Sequence, residues 1–306
     1  MSTDVGQASG PAPAAGARPP RARRQLPVPY LLLVPSAVFM ALLFGWPLLS
    51  GIMEAFQNPR GGFTLANWER MAGEPRFWEA VRNTLLLTAV VIPIQFVFAL
   101  AMALLLHAKP RFAGFYFYVW AVPLAISDLA AGLVWLSVFT DLGYLNSVLV
   151  NLGLAEHGVS WLNYQNPTSL FLTVVVAEVW RATSLVLIIV VAGMQVIPKD
   201  YDEAAQVLGA TFWQRLWHVT LPLLRPSLQV ALILRTILAF EAFAVAQALT
   251  GRNFPLLVGE TYEWSVNLQN RAVASAVALV VLGMSMVVAV IYLRALRQPD
   301  SVGGAR

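Results

Sequence analysis

Five ionisable residues interrupt otherwise uncharged runs in this chain: Asp128, Glu178, Arg181, Arg235 and Glu241. At the centre of an apolar helix in lipid each would cost roughly 2.5–3.5 kcal/mol on insertion scales, so such groups normally face a cavity or a partner. Glu178 and Arg181 lie three apart and can pair on one helix face. Arg235 and Glu241 lie six apart, point in different directions and need partners elsewhere. Together the five suggest a polar pathway, with ion pairs that fix pore geometry as the competing use. Other chemistries are excluded. There is no cysteine, and His107, His157 and His218 stand in no ligand spacing, so a metal site is not expected. The only lysines, Lys109 and Lys199, follow Ala and Pro, so no Gly-Lys-Ser/Thr phosphate loop exists and the chain cannot hydrolyse ATP by itself. No nucleophile–base pair presents itself for an intramembrane enzyme.

The elements that must position these residues are membrane helices. Of the 306 residues, 58% are hydrophobic and 12% charged, about half the charge of a soluble domain, and mean hydropathy is +0.67. The pattern predicts an all-α integral membrane fold with six spans near 29–53, 83–106, 114–138, 169–194, 222–248 and 272–293. Residues 1–28, rich in Ala, Pro and Gly, are expected to be a disordered cytoplasmic tail, 29–298 the transmembrane domain and 299–306 a second tail. The segment 29–53 is too long for a cleaved signal and reads as the first helix. Twelve of the 20 Lys and Arg fall on one side if both termini are cytoplasmic, six on the other, and 139–168 contains none. The positive-inside rule therefore places both termini in the cytoplasm. On the outside, Asn67-Trp68 through Phe77-Trp78 reads as a short amphipathic helix. Trp161-Leu162-Asn163-Tyr164 reads as an aromatic interface anchor.

The loop 195–221 is the most informative segment. Asp200, with Glu203 three residues on, forms a capping-box pattern that starts a short helix. Gly209 permits a sharp turn, a second short helix runs from Thr211 to His218, and Pro222 suits the first turn of the next span. The series Glu203-Ala204-Ala205, Gly209, Val219, Leu221-Pro222 resembles, at fixed spacing, the EAA signature of bacterial ABC-importer permeases. Pro123, Trp180 and Leu249-Thr250-Gly251 are similar to the sugar-importer, maltose-type branch, and the resemblance runs from about residue 30 to the end.

The resemblance implies a permease of the bacterial inner membrane whose loop couples to a separate ATPase through Glu203, Ala204, Ala205, Gly209, Leu221 and Pro222. It further implies a second permease subunit (a heterodimer), two ATP-binding subunits that carry ATP and Mg, an extracytoplasmic solute-binding protein, and a sugar substrate. This chain itself would bind no cofactor and no nucleic acid. Hydroxyls need polar side chains and C–H faces need flat surfaces. The substrate pathway is accordingly expected on Glu178, Trp180, Arg181 and Thr183 of the fourth helix and Arg235, Phe240, Glu241, Phe243 and Gln247 of the fifth. Asp128 is expected to be a structural charge. The branch's asparagine-rich positions are replaced by Glu178, Ala239, Glu241 and Ala242, so its sugar preference does not carry over. Glycerol phosphate or an oligosaccharide is the alternative solute. A proton-coupled secondary transporter would explain buried carboxylates but would not need the EAA loop.

Overall fold

The computed structural model describes residues 28–58 and 61–295, so the two expected tails lie outside the described residues save for Val28. The described chain divides into two units after Leu49. The first holds α1 (Val28–Met40), a π turn (Ala41–Gly45) and the start of α2 (Trp46–Ala55). Pro35 sits inside α1, where it removes one backbone donor.

In the second unit, α3 (Ala66–Ala72) precedes α4 (Pro75–His107), a helix of 33 residues or about 50 Å. That exceeds the roughly 30 Å of bilayer hydrocarbon, so α4 is longer than one upright crossing needs. Pro75 at its start costs nothing, because the first backbone N–H groups of a helix lack partners anyway. The expected amphipathic helix is thereby corrected. Asn67 and Trp68 belong to α3, whereas Phe77 and Trp78 already lie in the first turn of α4.

The third span is also corrected, being two pieces rather than one helix over 114–138. α5 (Ala113–Ala121) tightens into a 3₁₀ turn at Val122–Ala125, and Ile126 and Ser127 are extended before α6 (Asp128–Phe139) starts. Pro123 deprives the helix of a donor, and the Ser127 hydroxyl accepts from Ala130 N–H at 3.3 Å to cap the new one. Asp128 thus stands in a first turn, where a carboxylate suits the helix dipole. After α7 (Tyr144–Asn151) comes α8 (Pro167–Val196), matching the fourth span. The helices of the 195–221 loop follow: α9 (Lys199–Val207), then α10 (Phe212–Arg215), which runs through a π turn (Leu216–Thr220) into α11 (Leu221–Phe240). The fifth span breaks too. α11 ends at Phe240, Glu241–Phe243 leave the helix, and α12 (Ala244–Thr250) resumes it. α13 (Leu257–Tyr262), a π turn (Glu263–Asn267) and α14 (Arg271–Ala295) complete the chain.

Six helices among the described residues are long and apolar enough to cross a membrane, with Ala113–Ala125 as a shorter apolar one. In the second unit α4 and α8 are the spine. Ala99 and Ala103 of α4 meet Val186, Leu187 and Val190 of α8 and Leu224 of α11. Higher up, Leu87 and Val91 join α6, α8 and α12, and the first turns of α4 pack Phe77 and Ala80 with Val273 and Val277 of α14. Small residues set the crossings. A Cβ at Gly132 would stand 2.6 Å from that of Ala248, binding α6 closely to α12, and one at Gly193 would meet Ser227 of α11.

Candidate functional site

The 195–221 loop is a pair of short helices locked by three devices. α9 ends with Gly209 at φ +78°, the left-handed conformation that glycine adopts without steric penalty. There Ala210 N–H donates to Ala205 C=O at 3.0 Å and Gly209 N–H to Gln206 C=O at 2.9 Å, the paired bonds of a Schellman cap. This accounts for the spacing between Ala205 and Gly209. The second device is a capping box, but not the expected one. Asp200 lies within the first turn of α9, whose N-cap is Pro198 with no side-chain cap. The box forms instead at α10, where Gln214 N–H donates to the Thr211 hydroxyl and Thr211 N–H to Gln214 Oε1.

The third device, missed in the sequence, is Asp202. Its carboxylate accepts two bonds from Arg215 Nη1 at 2.9 and 2.8 Å and one from Gln206 Nε2 at 2.7 Å, clamping α9 onto α10. Thirteen positions separate Asp202 from Arg215, and no periodicity links them across a turn. The clamp leaves the motif outward-facing. Glu203 and Ala204 are exposed, Ala205 and Leu221 half-buried, and Pro222 exposed. Beside them Val207 and Leu208 are 88% and 87% exposed, and Trp213 and Trp217 are also exposed. Pro222 does sit in the first turn of α11, yet the helix continues upstream of it. The π turn just before it falls where proline removes a backbone donor. Between this loop and the end of α4 lies a cavity of about 530 Å³ lined by His107, Lys109, Lys199, Glu203 and Arg215.

Four of the five charges, all but Glu241, form one network. Glu178 of α8, 2% exposed, meets Arg181 at 3.3 Å and Arg235 of α11 at 3.1 Å through the same Oε2. Arg181 also holds Asp128 at 2.6 Å, across the break before α6. Gln95 of α4 completes the junction. Its Oε1 accepts from Arg235 Nε at 2.7 Å while its Nε2 donates to Glu178 C=O at 2.8 Å. Sequence reasoning passed over Gln95, although it is the sole Gln of an uncharged, mostly apolar span. A buried amide in such a run signals a polar partner.

The remaining pathway candidates are dispersed. Trp180 packs edge-on against Trp135 at 5.9 Å and, with Phe98, Trp120 and Thr183, lines an apolar cavity of about 560 Å³. The Thr183 hydroxyl is used locally, donating to Val179 C=O. Phe240 is buried in the packing with α14. Phe243 lies on Tyr262 at 5.5 Å and, with Gln247, borders a small cavity near Arg76 and Glu260. Glu241 is exposed at the helix break. The far segment is tied down by Arg76, which holds Glu260 at 2.6 Å and donates to Arg252 C=O. The indole N–H of Trp161, expected as an interface anchor, donates to Asn146 at 3.0 Å. Asn146 is itself buried and also binds the backbone of Thr140, Asp141 and Val159.

Residues 28–298 match the family described as binding-protein-dependent transport system inner membrane component. The chain belongs to this family. It is a multi-pass inner-membrane permease and a non-catalytic subunit, ATP hydrolysis falling to a partner ATPase. The permease is 31% identical to the sulfoquinovosyl glycerol transport system permease protein SmoG of Agrobacterium fabrum over 88% of this chain and 90% of that one. It is 28% identical to the trehalose/maltose transport system permease protein MalF of Thermococcus litoralis, over 89% and 94%. Its fold matches a bacterial ABC transporter involved in import of the acidic polysaccharide alginate, with a TM-score of 0.75 at 20% identity, over 90% of this chain and 96% of that one.

Proposed function

We propose that this permease subunit lines the membrane pathway of an ATP-driven sugar importer and receives the ATPase stroke through its 195–221 loop. The observation that carries the coupling role is the clamped pair α9–α10. The Gly209 cap and the Asp202–Arg215 pair hold the loop rigid while presenting Glu203, Ala204, Val207 and Leu208 to a partner. A rigid, small-residue surface can transmit a displacement that a flexible loop would absorb. The sugar assignment is supported by relatives named for trehalose/maltose and sulfoquinovosyl glycerol transport.

The assembly would comprise a second permease, two ATP-binding subunits holding ATP and Mg, and an extracytoplasmic binding protein. A related transporter is known in complex with a periplasmic protein carrying an alginate pentasaccharide. Both termini and the 195–221 loop then face the cytoplasm, and 139–168 faces outward. Co-purification tests the coupling role. Glu203→Arg is expected to insert normally but to lose the ATPase subunit and sugar-stimulated hydrolysis. Full retention and stimulation would remove the loop from coupling. Because the chain has no cysteine, single cysteines placed in 139–168 report orientation directly. Labelling there only from the cytoplasmic side would reverse the topology.

A further inference from the structure

We propose that the cavity of about 530 Å³ between the end of α4 and the 195–221 loop is a site for an anionic phospholipid of the cytoplasmic leaflet. Such a site rests on the reading above, which puts this loop at the cytoplasmic surface. Charge converges there. The chain has only two lysines, one just after α4 and one opening α9, and both line this cavity. Neither forms an ion pair among the described residues. His107 and Arg215 stand beside them.

The positive surplus survives the acids nearby. Lys109, Lys199 and Arg215 face Asp202 and Glu203, and Asp202 is already held by Arg215 and Gln206. Glu203 stands one helical turn after Lys199, so it can offset one lysine at most. Lys109 is left without a counter-charge. It occupies φ +50°, a backbone uncommon outside glycine that persists where the surroundings hold it, as at ligand sites. Arg215 has donors to spare. It meets Asp202 through Nη1 alone, and its Nε is buried with no partner among the described residues. The start of α9 adds partial positive charge, because its N-cap Pro198 borders the cavity and offers the first N–H groups no side-chain bond.

The rest of the lining selects a lipid over a free anion. Leu104, Met194, Ile197, Leu216 and Val219 form an apolar wall beside the cations. A soluble phosphate gains nothing from that wall. A phospholipid matches both halves, its phosphodiester on the basic side and its first methylenes on the apolar one. The depth agrees. The apolar run of α4 ends at Leu104-Leu105-Leu106, and His107 and Lys109 follow directly, so the cavity lies where hydrocarbon gives way to headgroups. Basic pockets between helices on the cytoplasmic side bind anionic headgroups. The ammonium of a zwitterionic headgroup would be repelled by the same surplus. A lipid seated here ties the end of α4 to α9 and α10. Val207 and Leu208 do not line the cavity, so the surface offered to the ATPase stays open.

The test is native mass spectrometry of the complete detergent-solubilised transporter, titrated with phosphatidylglycerol or phosphatidylcholine. Phosphatidylglycerol adducts at least fivefold more abundant than phosphatidylcholine adducts are expected. Lys109→Gln with Lys199→Gln should lower them at least threefold, whereas Lys109→Arg with Lys199→Arg keeps the charge and should retain them. Removing two exposed arginines outside the cavity, Arg225→Gln with Arg294→Gln, should leave them unchanged. Equal binding of the two lipids, no loss in the Lys→Gln pair, loss in the Lys→Arg pair, or an equal loss in the Arg→Gln control would each overturn the site. A hundredfold excess of inorganic phosphate should leave the lipid bound. Displacement would make this a free-anion site and overturn the lipid assignment. None of these readouts depends on uptake or on which way the chain is inserted. Reversed cysteine labelling in 139–168 would instead overturn the topology, which keeps the two failures distinct.

Discussion

Removing the carboxylate of Glu178 should be among the most damaging single changes in the helical core. In Glu178→Ala, Arg235 would keep only Gln95, with its Nη1 already unpartnered, inside a site where it is 1% exposed. At the observed 3.1 Å an effective dielectric of 20 gives a Coulomb attraction of about 5 kcal/mol. That agrees with the roughly 3–5 kcal/mol lost when one partner of a buried pair is deleted. At about 1.4 kcal/mol per tenfold, the folded-to-unfolded ratio should fall by two to three and a half powers of ten. Glu178→Gln keeps an acceptor for Arg235 and should cost about half as much. Glu178→Leu with Arg235→Met removes both charges and should lie within about 2 kcal/mol of the native chain. Arg181 retains Asp128 in each variant. Thermal melting of the detergent-solubilised permease pair, followed by fluorescence-detected gel filtration, ranks the three. If the double variant melts as low as Glu178→Ala, packing rather than the stranded guanidinium sets the cost, and the electrostatic reasoning fails.

Three further outcomes follow from local geometry. Gly209→Ala meets no atom within 4 Å, so its cost is left-handed backbone strain, about 1–2 kcal/mol. Asn, which tolerates that conformation, should restore ATPase coupling better than Ala, and equal coupling in both would remove the φ requirement. Gly193→Ala places a Cβ 2.6 Å from Ser227 Cβ, where a rotamer change gives no relief, and should destabilise by about 1–3 kcal/mol. Adding Ser227→Gly should recover most of that in the same melting assay, and no recovery would place the strain elsewhere. Asn146→Ala strips the bonds that hold 140–161 and should speed chymotrypsin cleavage there several-fold while leaving ATPase stimulation within twofold. Unchanged cleavage would mean the segment is held by its aromatic packing alone.

The residues by themselves determined the class, the number of long apolar helices and the position of the short helix pair at 195–221. Each rests on a local quantity: run length against bilayer thickness, the near absence of charge, and an alanine–glycine spacing now explained by a cap closed within six residues, Ala205 to Ala210. The tertiary structure decided what is non-local. Glu178 and Arg181 are near in sequence, but Gln95, Asp128 and Arg235 reach them from three other helices. The break at Pro123 had a visible cause, a missing backbone donor, yet its consequence for Asp128 depended on Ser127 capping a new helix. The break at Glu241–Phe243 carries no proline or glycine and so no local signal. Likewise Asp202 became a clamp only because the Gly209 turn swung Arg215 back over it. Apolar run length and turn chemistry are written along the chain, whereas the partner of a buried charge depends on which helices pack together.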